Sequence, residues 1–226
     1  MKRICAILMS LFVAVQFGEV FAQNVQINGH SFVDLGLPSG LLWAETNIGA
    51  VSATDVGDYF AWGESKFKKK YSWKTYLYGK KEEKMTKYTV SDNKNVLDKE
   101  DDAAHVIWGK DCRMPTLSEF AELRDTCNCL WTWTSRIMSN GQTIQGYLVS
   151  SKSNNNSIFL PVCGSKDGKN LDYYNSHGFY WSSSLNQIYN YYAFFLCLEP
   201  DCVYTNYNYR FYGLSIRPVV ENPKKN

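Results

Sequence analysis

The sequence predicts an α+β domain in which many short strands surround two neighbouring helices. Short runs of apolar residues, either alternating with polar ones or continuous, occur in both halves of the chain and are bounded by turn residues, which indicates strands. Two segments between these runs have helix start and stop signals. Strands grouped apart from helices are typical of α+β domains rather than of alternating α/β folds.

The first strands are predicted between Ile27 and Ala50. This stretch, "INGHSFVDLGLPSGLLWAETNIGA", alternates apolar and polar residues and is interrupted by Gly36, Pro38 and Gly40. The pattern indicates two short strands and a turn. Residues 66–102 then form a polar, charged excursion, which we expect to be solvated rather than a binding patch.

Two helices are predicted next. "DKEDDAAHVIWG" has acidic residues in its first turn and ends at Gly109. "PTLSEFAELRDTC" begins with a capping box formed by Thr116 and Glu119. Its apolar residues predict an amphipathic helix that packs on a sheet; they are Leu117, Phe120, Ala121, Leu123 and Cys127.

The rest of the chain predicts strands. "LWTWTS" and "TIQGYLVS" flank Asn140-Gly141, a hairpin turn signal. "SIFLPVCG" is a continuous apolar run and predicts a buried strand. Further strands are predicted at "GFYWSSS", "YYAFFLCL" and the closing "GLSIRPVV".

Length and charge narrow the class of protein. The 226 residues are enough for one domain, and 45% of them are hydrophobic, as in proteins with a packed core. The net charge of +2 argues against nucleic acid as the main partner, because phosphate binding needs a basic face. Tyrosine is abundant, with 16 residues, which favours sheets and recognition surfaces.

The N-terminus predicts export. Lys2 and Arg3 precede the short apolar run "ICAILMSLFVAV", and "VFAQ" offers a cleavage point. We therefore expect a signal peptide at 1–22 and a single domain at 23–226. Because no later stretch is long enough to span a membrane, the expected location is extracellular, on the cell surface or periplasmic.

Six cysteines follow the predicted signal peptide, and an even number in an exported chain permits disulfides. They are Cys112, Cys127, Cys129, Cys163, Cys197 and Cys202. Cys197 and Cys202 flank the turn sequence "LEPD", so a bridge across a hairpin is one interpretation. Reduced, buried thiols are the other interpretation.

The sequence predicts no catalytic residue, no metal site and no cofactor. The three histidines, His30, His105 and His177, lie far apart in the sequence. A triad of His177, Asp172 and a serine within 182–184 lacks a nucleophile elbow. Glu199-Pro200-Asp201 resembles half of a calcium-dependent sugar site, but no Trp-Asn-Asp partner follows it.

A binding surface is predicted between Asn186 and Tyr212, where four Asn and seven Tyr residues occur. Tyr offers a large contact area at a low entropic cost, and Asn offers adaptable hydrogen bonds. The alternative is that these residues pack across strands. The candidate ligand-binding residues are Tyr189, Tyr191, Tyr192, Tyr204, Asn206, Tyr207, Asn208, Tyr209 and Arg210.

Several segments in order resemble the Fibrobacter succinogenes major paralogous domain, a family common in secreted proteins of Bacteroidetes. They are "FVDLGLPSGLLWAETNIGA", "GDYFAWGE", "WGKDCRMPTLSEFAELRDTC", "GYLVSS", "SIFLPVCG", "GFYWSSS" and "GLSIRPV". The resemblance covers His30 to Val219. It implies a C-type-lectin-like fold with two helices and twisted antiparallel sheets, related to the formylglycine-generating-enzyme superfamily. This chain departs from the family at Glu45, where relatives carry Cys.

Together, the N-terminal signal, the lack of a catalytic motif, the Tyr- and Asn-rich stretch and the implied fold predict a secreted, non-catalytic binding protein with an aromatic, Asn-rich surface for a protein or glycan ligand. The closing motif of the family makes Arg217 a structural residue. Similar folds include proteins diversified by retroelements, whose mutable residues precede the closing strand, so diversification of this surface is a further expectation. A structural or surface-assembly component is the alternative, and a formylglycine-generating-like oxidase is the third. Cys197 and Cys202 are the close pair that such an oxidase would need, but no family motif surrounds them.

Overall fold

The computed structural model describes residues 24–109 and 111–224. The predicted signal peptide at 1–22 lies outside them. The structure is mostly β-sheet with two α-helices, and every pairing between its strands is antiparallel. It therefore agrees with the predicted α+β class. None of the helices within the described ranges is long and apolar enough to cross a membrane.

A five-stranded sheet joins the two ends of the chain, in the order β1-β2-β3-β13-β4. Its strands are β1 (Val25–Ile27), β2 (His30–Asp34), β3 (Leu42–Ala44), β4 (Cys112–Arg113) and β13 (Val219–Val220). Phe32 and Leu42 lie in one core, whereas Val33 and Trp43 lie in another. The sheet is therefore buried on both faces, because successive side chains of a strand point to opposite sides.

The two predicted helices are present. Helix α1 (Ala103–Trp108) is capped by the Asp102 side chain, which accepts hydrogen bonds from the backbone of Ala104 and His105, and it ends at Gly109. Helix α2 (Leu117–Arg124) begins with the predicted capping box of Thr116 and Glu119. The predicted apolar stripe of α2 is only partly correct: Phe120 and Leu123 are buried, but Ala121 and Cys127 are exposed.

Two three-stranded sheets follow the helices. The first has the order β5-β6-β7, made of β5 (Cys129–Ile137), β6 (Thr143–Ser151) and β7 (Ser157–Pro161). The Asn140-Gly141 turn joins β5 to β6 as predicted, with Gly141 at a φ of 82°. The second sheet has the order β10-β11-β12, made of β10 (Gly178–Leu185), β11 (Tyr192–Glu199) and β12 (Cys202–Tyr209). A small hairpin, β8 (Ser165–Asp167) and β9 (Asn170–Asp172), precedes β10.

The prediction for the closing segment is wrong in part. "GLSIRPVV" is buried throughout, but only Val219–Val220 forms a strand, while Gly213–Ser215 makes isolated bridges. The Arg217 guanidinium, which belongs to this segment, is fully buried in the interior. It donates to Oδ1 of Asn47 at 2.8 Å and to the carbonyl oxygens of Ala44 and Phe159.

The excursion at 66–102 is more firmly held than expected. Its lysine-rich parts are solvated, yet Tyr71, Tyr76 and Tyr88 within it are buried. The Tyr76 hydroxyl donates to the carbonyl of Trp62 at 2.8 Å, and the Tyr88 hydroxyl donates to the Asp101 carboxylate. The excursion therefore contributes aromatic side chains to the interior as well as charges to the surface.

Candidate functional site

The β11–β12 hairpin positions the predicted binding residues, and it sorts them onto two faces. Tyr192 is the cross-strand partner of Tyr209, and Phe195 is the partner of Asn206. Cross-strand partners share a face and successive residues alternate. Tyr207 and Tyr209 therefore point to one side of the sheet. The other side receives Tyr204, Asn206 and Asn208.

We call the first surface the tyrosine face: Tyr189, Tyr191, Tyr192, Tyr207 and Tyr209. Its rings form one continuous cluster. The Tyr192 ring centroid lies 4.7 Å from that of Tyr209 and 5.0 Å from that of Tyr207. Tyr191 lies 4.6 Å from Tyr192, and Tyr189 lies 5.9 Å from Tyr191. Tyr189 and Tyr207 are 47% and 43% exposed, so the cluster is open to solvent.

The loop between β10 and β11 holds the tyrosine face in place. Oδ1 of Asn186 accepts hydrogen bonds from the backbone N–H groups of Ile188 and Tyr189, both at 3.1 Å. The N–H of Tyr192 donates to the carbonyl of Tyr189 at 2.8 Å. Such local side-chain bonds order a loop without any help from a ligand. The tyrosines are thus presented by a defined turn.

One acidic side chain approaches the tyrosine face from the excursion. The Glu82 carboxylate, together with the neighbouring Tyr192, raises the pKa of the Tyr209 hydroxyl above its ordinary value. Burial and the charge of Glu82 also raise the pKa of Tyr191. Both hydroxyls are therefore harder to deprotonate than that of an ordinary tyrosine, which is itself protonated and able to donate at physiological pH.

Arg210 is not part of this surface, contrary to the prediction. It is fully buried. Its Nε donates to the Tyr76 hydroxyl at 2.8 Å, and its Nη1 and Nη2 donate to the carbonyl oxygens of Asn190 and Lys87. The guanidinium carbon lies 4.8 Å from the ring centroid of Trp62. Arg210 therefore ties β12 and the tyrosine loop to the excursion rather than binding a ligand.

The opposite side of the hairpin borders a groove of about 690 Å³, which contains the predicted residues Tyr204, Asn206 and Asn208. The Tyr204 hydroxyl donates to Oε1 of Glu199 at 2.6 Å, and this hydrogen bond raises the pKa of Tyr204. We call this concavity the acidic groove, bounded by Asp167, Asp172, Tyr173, Phe179, Glu199 and Tyr204.

Asn206 and Asn208 also act on the strand itself. Strand β12 is the last strand of its sheet, so one of its edges has no strand partner. Oδ1 of Asn206 accepts from the backbone N–H of Tyr207, and Oδ1 of Asn208 accepts from that of Tyr209, both at 2.8 Å. The two side chains thus satisfy donors that would otherwise attract another strand.

The structure corrects the predicted Cys197–Cys202 bridge. The six cysteines that it describes are free thiols, with Cys197 buried and Cys202 exposed. Cys197 lies opposite Tyr204 and Cys202 lies opposite Glu199, so the two cysteines are diagonal neighbours. Diagonal positions are about 7–8 Å apart, whereas a disulfide needs Cβ atoms about 3.5–4.5 Å apart.

The structure does not assemble a catalytic triad from His177, Asp172 and Ser182. Asp172 and His177 both border the acidic groove, but Ser182 is buried and donates to the carbonyl of Phe194 at 2.8 Å. Pro200 and Asp201 form the turn between β11 and β12. Within residues 24–109 and 111–224, no cluster of three or more His, Cys, Asp or Glu residues is arranged to hold a metal ion.

Half of the acidic groove was missed by sequence reasoning. Asp167, Asp172 and Tyr173 belong to the β8–β9 hairpin and the residue after it, about 30 positions before β12. Each is unremarkable alone. A local signal exists at "SKDGKNLD", whose central Gly168 marks a hairpin turn. Only the fold shows that this hairpin faces β12.

Residues 143–219 match the model of a family described as Domain of unknown function (DUF8237). The match runs from the start of β6 to the start of β13, so it includes the tyrosine face and the acidic groove, but it covers less than half of the 226 residues. No curated protein and no solved structure matches the chain.

Proposed function

We propose that this chain is an exported, non-catalytic binding protein whose tyrosine face recognises a protein or glycan ligand. The observation on which this rests is the continuous cluster of five partly exposed tyrosines on an ordered loop and strand. Monomeric proteins rarely leave clustered aromatic rings open to water without a partner. Tyrosine rings also stack well on protein surfaces and on sugar rings.

The proposal also includes the family, the fold and the source of this protein. The ordered motifs support membership of the Fibrobacter succinogenes major paralogous domain family and a C-type-lectin-like fold. The apolar N-terminal run supports export, and the family resemblance supports a Bacteroidetes-type source. Diversification by a retroelement would change the tyrosine face first, and a reverse transcriptase gene with a near-identical template repeat nearby would be needed for it.

The test begins with a screen of the purified protein against immobilised glycans and bacterial surface proteins. The double variant Tyr192→Ala/Tyr207→Ala should abolish binding to the ligand found while the protein stays folded, because both rings are at least partly exposed. Tyr174→Ala is the matched control, since Tyr174 is 38% exposed and lies outside the tyrosine face.

Two outcomes would contradict the proposal. If the double variant keeps full affinity, the ligand binds elsewhere. If the double variant unfolds while Tyr174→Ala does not, the tyrosines are structural, which favours the surface-assembly alternative. Circular dichroism and a thermal melt separate these outcomes from a true loss of binding.

A further inference from the structure

The acidic groove is a second concave surface, separate from the tyrosine face because it lies on the other side of β11 and β12. At about 690 Å³ it is within the usual size range of ligand sites. One wall is β12 with Tyr204. The other is the β8–β9 hairpin, and Phe179 of β10 lies between them. The groove is thus built from three separate elements of the segment between Ser165 and Tyr209.

Aromatic rings line one part of the groove. Tyr173 is 59% exposed, and its ring centroid lies 5.9 Å from that of Phe179 and 5.0 Å from that of His177. The backbone of Tyr173 is left-handed, with a φ of 60°, a conformation that a bulky residue rarely adopts. More than half of the Tyr173 side chain is thus accessible to solvent at the edge of the groove.

Three carboxylates also line the groove, beside polar residues that include His177, Asn206 and Asn208. Asp167 and Asp172 come from the β8–β9 hairpin, and Glu199 comes from the end of β11. In the part of the chain that the structure describes, no lysine or arginine borders the groove. Burial, and then the charges of Asp167 and Asp172, raise the pKa of Tyr212 to about 12. The two carboxylates thus add to an effect that is due first to burial.

An aromatic ring beside uncompensated carboxylates is complementary to a planar cation. A guanidinium stacks flat on an aromatic ring and at the same time donates two parallel hydrogen bonds to a carboxylate. We propose that the acidic groove binds an arginine side chain of a peptide segment. The ring of Tyr173 stacks on the guanidinium, and Asp172 together with Glu199 neutralises it.

Charge complementarity favours arginine over other occupants. A compact ammonium, as in lysine or an amino sugar, uses a carboxylate but gains less from the ring, because it is more strongly hydrated. A neutral sugar can donate hydroxyl hydrogen bonds to these carboxylates, but it leaves their three negative charges unneutralised. The proposal does not depend on the tyrosine face having a ligand, since the two surfaces share no side chain.

The test measures binding of short capped peptides by calorimetry and by chemical-shift changes. The probes are Gly-Arg-Gly, Gly-Lys-Gly and Gly-citrulline-Gly, the last being a neutral isostere of the first. The arginine peptide should bind about tenfold more tightly than the citrulline peptide, and affinity should fall as salt rises. Equal affinity for the arginine and citrulline peptides would overturn the proposal.

Variants of this chain locate the site. Asp172→Asn should weaken the arginine peptide about tenfold, whereas Glu83→Gln, at an 85% exposed side chain outside the groove, should change nothing. Tyr173→Phe should keep the affinity because the ring remains. Tyr173→Leu should lower the affinity for the arginine peptide severalfold, because the aromatic ring is lost. Equal losses in Asp172→Asn and Glu83→Gln would show non-specific attraction and refute the site.

The remaining outcomes separate rival occupants. Tighter binding of a glucosamine oligosaccharide than of the arginine peptide would assign the groove to a glycan instead. Self-association that Asp172→Asn reverses would assign it to the lysine-rich excursion of a second copy. Tyr207→Ala should leave peptide binding intact, so that failure of this proposal and failure of the tyrosine-face proposal are distinguishable.

Discussion

The two faces of the β11–β12 hairpin use the same kinds of residue for different chemistry. On the tyrosine face, aromatic rings contact one another and form a broad, nearly uncharged surface. On the groove face, the Tyr204 hydroxyl donates a hydrogen bond to Glu199, and aromatic rings lie beside carboxylates. Neighbouring residues of a strand point to opposite sides of the sheet. The amino-acid composition of the segment therefore cannot distinguish the two surfaces.

The largest effect is expected at Arg210, which supports the tyrosine face from the interior. Arg210→Met should lower the free energy of unfolding by about 3 kcal/mol, because buried carbonyl acceptors lose their donor. Arg136→Ala, at an exposed arginine on β5, should change it by less than about 0.5 kcal/mol. Urea denaturation of both variants measures the difference. A loss below about 1 kcal/mol at Arg210 would mean that the guanidinium is dispensable.

A smaller effect distinguishes the hydroxyls of the two faces. Tyr204→Phe removes the hydrogen bond to Glu199 and should cost about 1 kcal/mol of stability. Tyr207→Phe should cost less than about 0.5 kcal/mol, because this ring is largely on the surface. The same denaturation experiment checks both, and equal costs would contradict the different environments described for the two faces.

The smallest effect is the dependence of stability on the protonation of Tyr212, which does not change near neutral pH. Because the folded protein raises the pKa of Tyr212 to about 12, it holds this proton more tightly than the unfolded chain does, in which a tyrosine titrates near pH 10. The stability from Tyr212 is therefore complete below pH 10 and is lost as the pH rises towards 12. The ultraviolet difference titration between the wild type and Tyr212→Phe should show the phenolate near pH 12. Its appearance at pH 10 would show that neither burial nor the Asp167 and Asp172 carboxylates shift the titration of Tyr212.

Local signals predicted some elements well. Helix α2 follows from its capping box, and the β5–β6 hairpin follows from Asn140-Gly141, because both depend on residues a few positions apart. The burial of Arg210 could not be predicted. A charged residue is normally exposed, and the rings that enclose it come from Trp62, Tyr76 and Tyr88, more than a hundred positions earlier.

The candidate site was predicted in composition but not in geometry. The sequence pointed to Asn186–Tyr212 as a surface, but β12 was not among the strands it predicted, because Asn is a poor strand former. The alternation of Tyr204 and Tyr207 in the sequence indicates opposite sides, but only the pairing of β12 with β11 shows which side each residue takes. The acidic wall from Asp167 and Asp172 requires the position of a remote hairpin, which short-range patterns do not specify.

The asparagines of β12 bear on how freely this strand can vary. Asn206 and Asn208 each use one side-chain oxygen to cover a backbone donor on the open edge of the sheet. Ser, Thr and Asp also have an oxygen at a similar reach, whereas an apolar residue would expose the donor to other chains. The positions of this strand therefore differ in how well they tolerate substitution, whether by natural variation or in an engineered library. Tyr207 is 43% exposed and can change with least effect on packing, whereas the Tyr209 ring also packs against Trp73 and Phe211. Positions 206 and 208 protect the open edge of the sheet from pairing with a second molecule.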